Sequence, residues 1–195
     1  MNGLVFDGVC KSYGDRQVLR NFSLTVPAGS RVCVMGPSGC GKTTLLLLAA
    51  GLLAPDAGTV SGVPARLSVV FQEDRLCEAF SVLSNLRAVT GKSVSRDTML
   101  AHLRELGLAD AADKPAGELS GGMKRRAAIA RAVLYGGELF LLDEPLKGLD
   151  EKTRDAALAY LLRHTEGRTV LFITHSPEEA ALFGGALVNM ESKTL

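Results

Sequence analysis

The stretch "SRVCVMGPSGCGKTT", residues 30–44, decides the fold. Its first half is an apolar run of strand length, which runs straight into a glycine-rich loop. Its second half opens a helix, expected over Thr43–Leu53 and stopped by Pro55. Gly36 to Thr43 matches the pattern G-x-x-x-x-G-K-[ST]. The chemistry explains each position. Gly36, Gly39 and Gly41, with Pro37, Ser38 and Cys40 between them, let the backbone close into a nest of N–H donors around a polyphosphate. The helix that follows, from Thr43 and Thr44, points its positive end at that anion. Lys42 adds a mobile point charge, and the Thr43 hydroxyl is an oxygen ligand for Mg2+. The strand before the loop and the helix after it distinguish this pattern from a chance glycine-rich turn.

Working outward, apolar runs of strand length alternate with helical segments. "LRNFSLTV" (19–26) alternates polar and apolar residues, as an antiparallel strand does. "LSVVF" (67–71), "LFLLD" (139–143) and "TVLFIT" (169–174) are bounded by polar or turn residues. This alternation predicts an α/β fold with a mostly parallel sheet and N-terminal antiparallel strands. Residues 73–118 contain no strand-like run. "SVLSNLRAV" and "RDTMLAHLREL" have helical spacing, with Gly107 as a stop. A single domain is expected, with a nucleotide-binding core over 1–72 and 120–195 and a helical lobe inserted at 73–119.

Composition narrows the function. The chain has 195 residues, of which 47% are apolar, enough for a sizeable core. Lys plus Arg number 22 against 21 Asp plus Glu, for a net charge of +1, so no broad positive field favours nucleic acid. The longest apolar stretch, "LLLLAAGLLA" (45–54), falls short of the roughly 20 residues of a membrane-spanning helix. The N-terminus lacks the apolar core of a signal peptide. Cys10, Cys33, Cys40 and Cys77 are scattered without metal-ligand spacing, so free thiols in a reducing compartment are expected. Cys40, inside the loop, reads either as a reactive thiol or as a small filler.

Two further stretches carry chemistry. "ELFLLDEP" (138–145) is an apolar strand ending in two carboxylates. Asp143 is placed to hold Mg2+, and Glu144, one residue on, to orient or deprotonate an attacking water. "ELSGGMKRRAAIARA" (118–132) begins a second helix with bare amides. Ser120 caps it, Gly121 and Gly122 leave N–H groups open, and Lys124, Arg125, Arg126 and Arg131 make it basic. Ala127, Ala128, Ile129, Ala132 and Val133 form its packing side. One chain thus carries two anion cradles.

The ordered set of phosphate loop, Gln72, "LSGGMKRRAAIARA", "LFLLDEP", "GLD" and His175 resembles the nucleotide-binding subunit of an ABC transporter, over about Tyr13 to His175. The resemblance implies an ATP-hydrolysing protein that uses Mg2+. It also implies a homodimer, or a pair with another ABC subunit. Two ATPs would then lie between the phosphate loop of one protomer and the "LSGG" of the other, which accounts for the second cradle. It further implies that Tyr13, in "KSYG", stacks on adenine. Gln72 would sense the metal and the γ-phosphate, Asp150 would contact the partner, and His175 would act as a switch on the γ-phosphate. Lys42, Glu144 and His175 form the expected catalytic set, and Thr43, Gln72 and Asp143 the metal set. Met123 stands where many members have glutamine, and Lys147 where a small hydroxyl is common. With 20 residues after His175, no appended regulatory domain is expected. Partners implied are separate membrane permease subunits and an extracytoplasmic substrate-binding protein, with the chain peripheral on the cytoplasmic face of the membrane. "VVFQEDRL" and "EPLKGLD" resemble the nitrate, sulfonate and taurine importer branch. Two alternatives stay open. One is an ABC ATPase acting on ribosomes or DNA, for which the balanced charge gives no support. The other is a small-molecule kinase, which leaves the "LSGG" helix without a purpose.

Overall fold

The computed structural model describes residues 3–190. The chain divides into two compact units. The first comprises the chain up to Val69, Glu138–Glu144 and the chain from Glu166 onward; the second comprises Val70–Gly137 and Pro145–Thr165. Segment 73–119 falls wholly in the second unit, together with two later helices.

The first unit holds two sheets. β1 (Leu4–Tyr13), β2 (Arg16–Val26) and β4 (Ala57–Ser61) form an antiparallel sheet in the order β2-β1-β4. The alternation in "LRNFSLTV" therefore reported an antiparallel strand, as expected. The other sheet has the order β5-β6-β7-β3-β8, from β5 (Leu67–Val70), β6 (Leu139–Asp143), β7 (Thr169–Ile173), β3 (Arg31–Met35) and β8 (Ala186–Asn189). Pairs β6–β7, β7–β3 and β3–β8 are parallel. Every residue of β6 is buried, the pattern of a parallel strand covered on both faces. Phe172 of β7 stacks on Phe183 with ring centroids 4.2 Å apart, and both are fully buried. Such a pair adds about 0.5–1.5 kcal/mol beyond its area.

Helix α1 spans Lys42–Ala49, four residues short of the expected end at Leu53. Pro55 does not stop it. Gly51 does, at φ 68°, with its amide donating to Leu48 O (3.1 Å) and the Leu52 amide to Leu47 O (3.0 Å). That pair of bonds is a Schellman closure, which a left-handed glycine permits.

The second unit is helical: α2 (Val82–Thr90), α3 (Arg96–Glu105), α4 (Gly121–Tyr135) and α5 (Glu151–His164), with two short 3-10 turns. Serines 81, 95 and 120 and Asp150 cap these helices, each accepting from a backbone amide three residues on. Gly107 closes α3 as its spacing predicted, at φ 65°. The packing side expected for α4 is the buried one: Ala127, Ala128, Ile129, Ala132 and Val133 are all in the core. Leu86, Met99, Leu103 and Tyr160 fill the space between the helices with almost no exposure. α6 (Pro177–Phe183) returns to the first unit after β7.

Candidate functional site

Parallel pairing sets the geometry of the first unit's site. Val34 of β3 and Asp143 of β6 both pair with Ile173 of β7, so three strands end level. The phosphate loop, the two carboxylates and the His175 segment leave the sheet on one edge, outside the carboxyl ends of the strands. That is where open α/β sheets bind ligands.

The loop has the conformation its glycines permit. Gly39 and Gly41 sit at φ 78° and 105°. A Cβ on Gly41 would come within 2.9 Å of Val18 Cγ1 and 3.0 Å of Leu19 Cδ2. Gly41 also occupies the cap position of α1, so no side chain competes for the first-turn amides. Arg16 donates to the Gly39 carbonyl at 3.3 Å and braces the loop from outside. The Lys42 ammonium is curled onto the loop, donating to Gly36 O (2.6 Å) and Pro37 O (2.9 Å). The side chain is buried, and these carbonyls satisfy its charge. The Cys40 thiol is also buried, 3.9 Å from the Lys42 ammonium.

Thr43 and Asp143, a hundred residues apart, meet: Thr43 Oγ1 donates to Asp143 Oδ2 at 2.8 Å. Asp143 is 2% exposed. A buried carboxylate beside a hydroxyl is the oxygen donor set of a hard cation, so these residues fit Mg2+. Glu144 takes φ 45°, one of three non-glycine residues at positive φ among those described. The left-handed conformation costs about 1–2 kcal/mol. The Glu144 amide donates to Ile173 O (2.9 Å), and its Oε1 lies 3.2 Å from His175 Nδ1. Tyr13, at the end of β1, is half exposed, with its hydroxyl 3.4 Å from Thr44 Oγ1. The first unit thus gathers Tyr13, the loop, Lys42, Thr43, Thr44, Asp143, Glu144 and His175.

Gln72, Ser120, Gly121, Gly122 and Asp150 belong to the second unit. The Ser120 side chain accepts from the Met123 amide at 3.3 Å, as a capping serine should. A Cβ on Gly121 would meet nothing within 4 Å. Asp150 accepts from the Thr153 amide at 3.0 Å, and that bond holds its carboxyl below the usual range.

Two groups escaped the sequence reading. The first is Arg125, expected only to make α4 basic. It is buried and donates to Phe71 O (2.7 Å) and to Gln72 O, and it pairs with Asp74 at 3.1 Å. The "LSGG" helix thereby grips the backbone that carries Gln72. Burial raises the Asp74 pKa, and Arg125, Lys124 and Arg131 pull it back. The second is Glu179 on α6. Thr174 donates to it and accepts from the Ser176 amide at 3.1 Å, which clamps the backbone on both sides of His175. A buried threonine at a strand end and an acid five residues on give no sequence signal of such a pair. Burial, with Glu179 second, pushes the nearby Cys33 thiol up to about 12, so it stays protonated.

Comparison with known proteins follows the same lines. A family model described as ABC transporter matches residues 19–147. The taurine import ATP-binding protein TauB of Roseobacter denitrificans is 40% identical over 188 residues, covering 89% of this chain and 70% of that protein. The aliphatic sulfonates import ATP-binding protein SsuB 1 of Paraburkholderia xenovorans is 40% identical over 191 residues, 94% of this chain and 56% of that protein. This chain therefore spans little more than half the length of the second relative. Among solved structures, a dimeric post-hydrolysis state of an ATP-binding cassette bound to ADP and Pi superposes with a TM-score of 0.84 at 27% identity, covering 98% of this chain and 97% of that one.

Proposed function

The chain belongs to the ABC transporter family, and from that premise we propose that it is the ATP-hydrolysing subunit of an importer, working as a dimer on separate membrane permease subunits. Among the described residues, no helix is long and apolar enough to cross a membrane. Attachment to the cytoplasmic face would therefore run through the permease. The sulfonate and taurine relatives suggest an organosulfonate cargo, delivered by an extracytoplasmic binding protein.

The observation that carries the dimer is Gly121. Its own chain leaves open space where a Cβ would go, so nothing in the protomer calls for glycine there. A phosphate arriving from outside does, because a bare helix start can be approached closely by an anion. In this reading Ser120–Gly122 closes over the γ-phosphate of the partner's ATP.

Within the protomer, the backbone amides of Gly36 to Thr43 wrap the triphosphate. Lys42 exchanges the Gly36 and Pro37 carbonyls for phosphate oxygens, a charge-assisted gain. The exposed face of Tyr13 stacks on adenine. Thr43 and Asp143 are the residues that would hold Mg2+, and Gln72 keeps the sensing role that the resemblance implies. When bound, that ion neutralises charge on the β- and γ-phosphates. Glu144 orients the water and takes its proton as the water oxygen bonds to the γ-phosphorus and the bond to the β-phosphate oxygen breaks. His175, hydrogen-bonded to Glu144, fixes that carboxylate and reaches the γ-phosphate. The products are ADP and phosphate, and loss of the shared γ-phosphate parts the dimer.

The test is Glu144→Gln. The variant should bind ATP as the parent does, turn over at least about a hundredfold more slowly, and elute as an ATP-dependent dimer on gel filtration. A variant that stays monomeric with saturating ATP refutes the shared site.

A further inference from the structure

The second unit carries a cluster that ATP hydrolysis does not use. His102 and Glu105 stand one turn apart on α3, on the same helix face. His164 ends α5. One ligand atom from each of the three lies within 4.8 Å of the others. Two of the chain's three histidines are thus gathered at one spot. The rings of His102 and His164 are 4.7 Å apart, and His164 Nε2 lies 3.2 Å from Glu105 Oε2.

We propose that His102, Glu105 and His164 form a binding site for a divalent transition-metal ion of borderline softness, such as Zn2+, which clips α3 to the C-terminal end of α5. Two imidazoles and a carboxylate are a common donor set for such ions, and the fourth position is left to water. Metal–ligand bonds of about 2.0–2.2 Å in a tetrahedron require ligand atoms about 3.4 Å apart. The His164–Glu105 edge, at 3.2 Å, is already close to that length, and the two edges to His102 are no longer than 4.8 Å. That ring is held from behind: the hydroxyl of Tyr160, a fully buried residue, lies 2.6 Å from His102 Nδ1. With Nδ1 engaged, Nε2 is the nitrogen left for the ion. A partner on the second ring nitrogen is the usual support of a ligating histidine. Arg163 is bonded to Glu105 Oε2 at 2.7 Å and would compete with a cation. Its side chain is 59% exposed and can swing into water. Glu105 is exposed and both histidines are partly so, which leaves the ion a route in.

The experiment uses tag-free, full-length protein stripped with a chelator and kept free of nucleotide. Co2+ titration should give visible ligand-field absorption that saturates at one ion per chain, and Zn2+ should displace it. Both metals should raise the melting temperature, because they join two helices. His164→Ala, at a helix end, and His102→Gln, which keeps a hydrogen-bonding group for Tyr160, should each weaken Co2+ binding tenfold or more. Glu105→Gln should weaken it as well. Absence of a one-to-one complex, or Co2+ affinity that is unchanged in both histidine variants, would overturn the site. The second result would place the ion on a thiol or elsewhere.

Discussion

At Gly36 a Cβ would lie 2.3 Å from the Met190 carbonyl oxygen, and the Met190 amide donates a hydrogen bond to Met35 O of β3 at 2.7 Å. At Gly121 the same atom would meet nothing. These two glycines are alike in sequence and opposite in setting: one is required by the fold, and in the proposed dimer the other is required by the phosphate that docks on it. Gly36→Ala should therefore lower stability by about 2–3 kcal/mol, seen as a drop in melting temperature, with ATP binding lost alongside. Gly121→Ala should leave the melting temperature unchanged or slightly raised, since alanine favours a helix by about 0.5–1 kcal/mol. Its ATPase rate should nonetheless fall tenfold or more. A Gly121→Ala variant with full activity would remove the reason for placing a partner's phosphate there. Glu144 is a third case: its left-handed backbone costs energy, and its amide hydrogen bond to Ile173 O helps to hold it.

Among the elements, α4 does more than present its N-terminus. Arg125 ties its first turns to the carbonyls of Phe71 and Gln72 and to Asp74. The guanidinium is the right group for this, because its fork can satisfy several oxygens at once. Truncating it would leave two carbonyls and a largely buried carboxylate without their cation. Arg125→Ala should cost about 2–4 kcal/mol in a denaturant titration. Arg125→Lys should recover only part of that, since one ammonium cannot span the same oxygens. A loss under about 0.5 kcal/mol, the range of an ordinary surface change, would show that the cluster does not hold Gln72 in place. α1 illustrates the reverse dependence. It ends at Ala49, where the left-handed Gly51 closes it before Pro55 comes into play.

On the scale of the whole molecule, the proposed dimer has each protomer supply two half-sites that serve different ATPs. Mixing two inactive variants tests this directly. Lys42→Ala lacks a working phosphate loop, and Gly121→Arg blocks the signature helix. In a mixed dimer one composite site is intact, so an equal mixture should recover up to about a quarter of the parent ATPase rate. A mixture as inactive as either variant alone would mean that the nucleotide is held within a single chain.

The sequence by itself determined the phosphate loop, the apolar strands that deliver it and its carboxylates, and the capped helix with bare amides. Each is a local matter, set by glycine freedom, apolar runs and helix caps within about ten residues. It did not show β4 or β8: both are short and mostly exposed, so pairing rather than burial makes them strands. Tertiary structure alone decided that Thr43 meets Asp143, that Glu144 faces His175 and that Glu179 clamps the strand end before it. The same holds for Arg125 as a buried tie and for the three-residue cluster on α3 and α5. These contacts join residues through hydrogen bonds and charge, which leave no periodic mark in a sequence. They arise only when parallel strands end level and helices pack side by side.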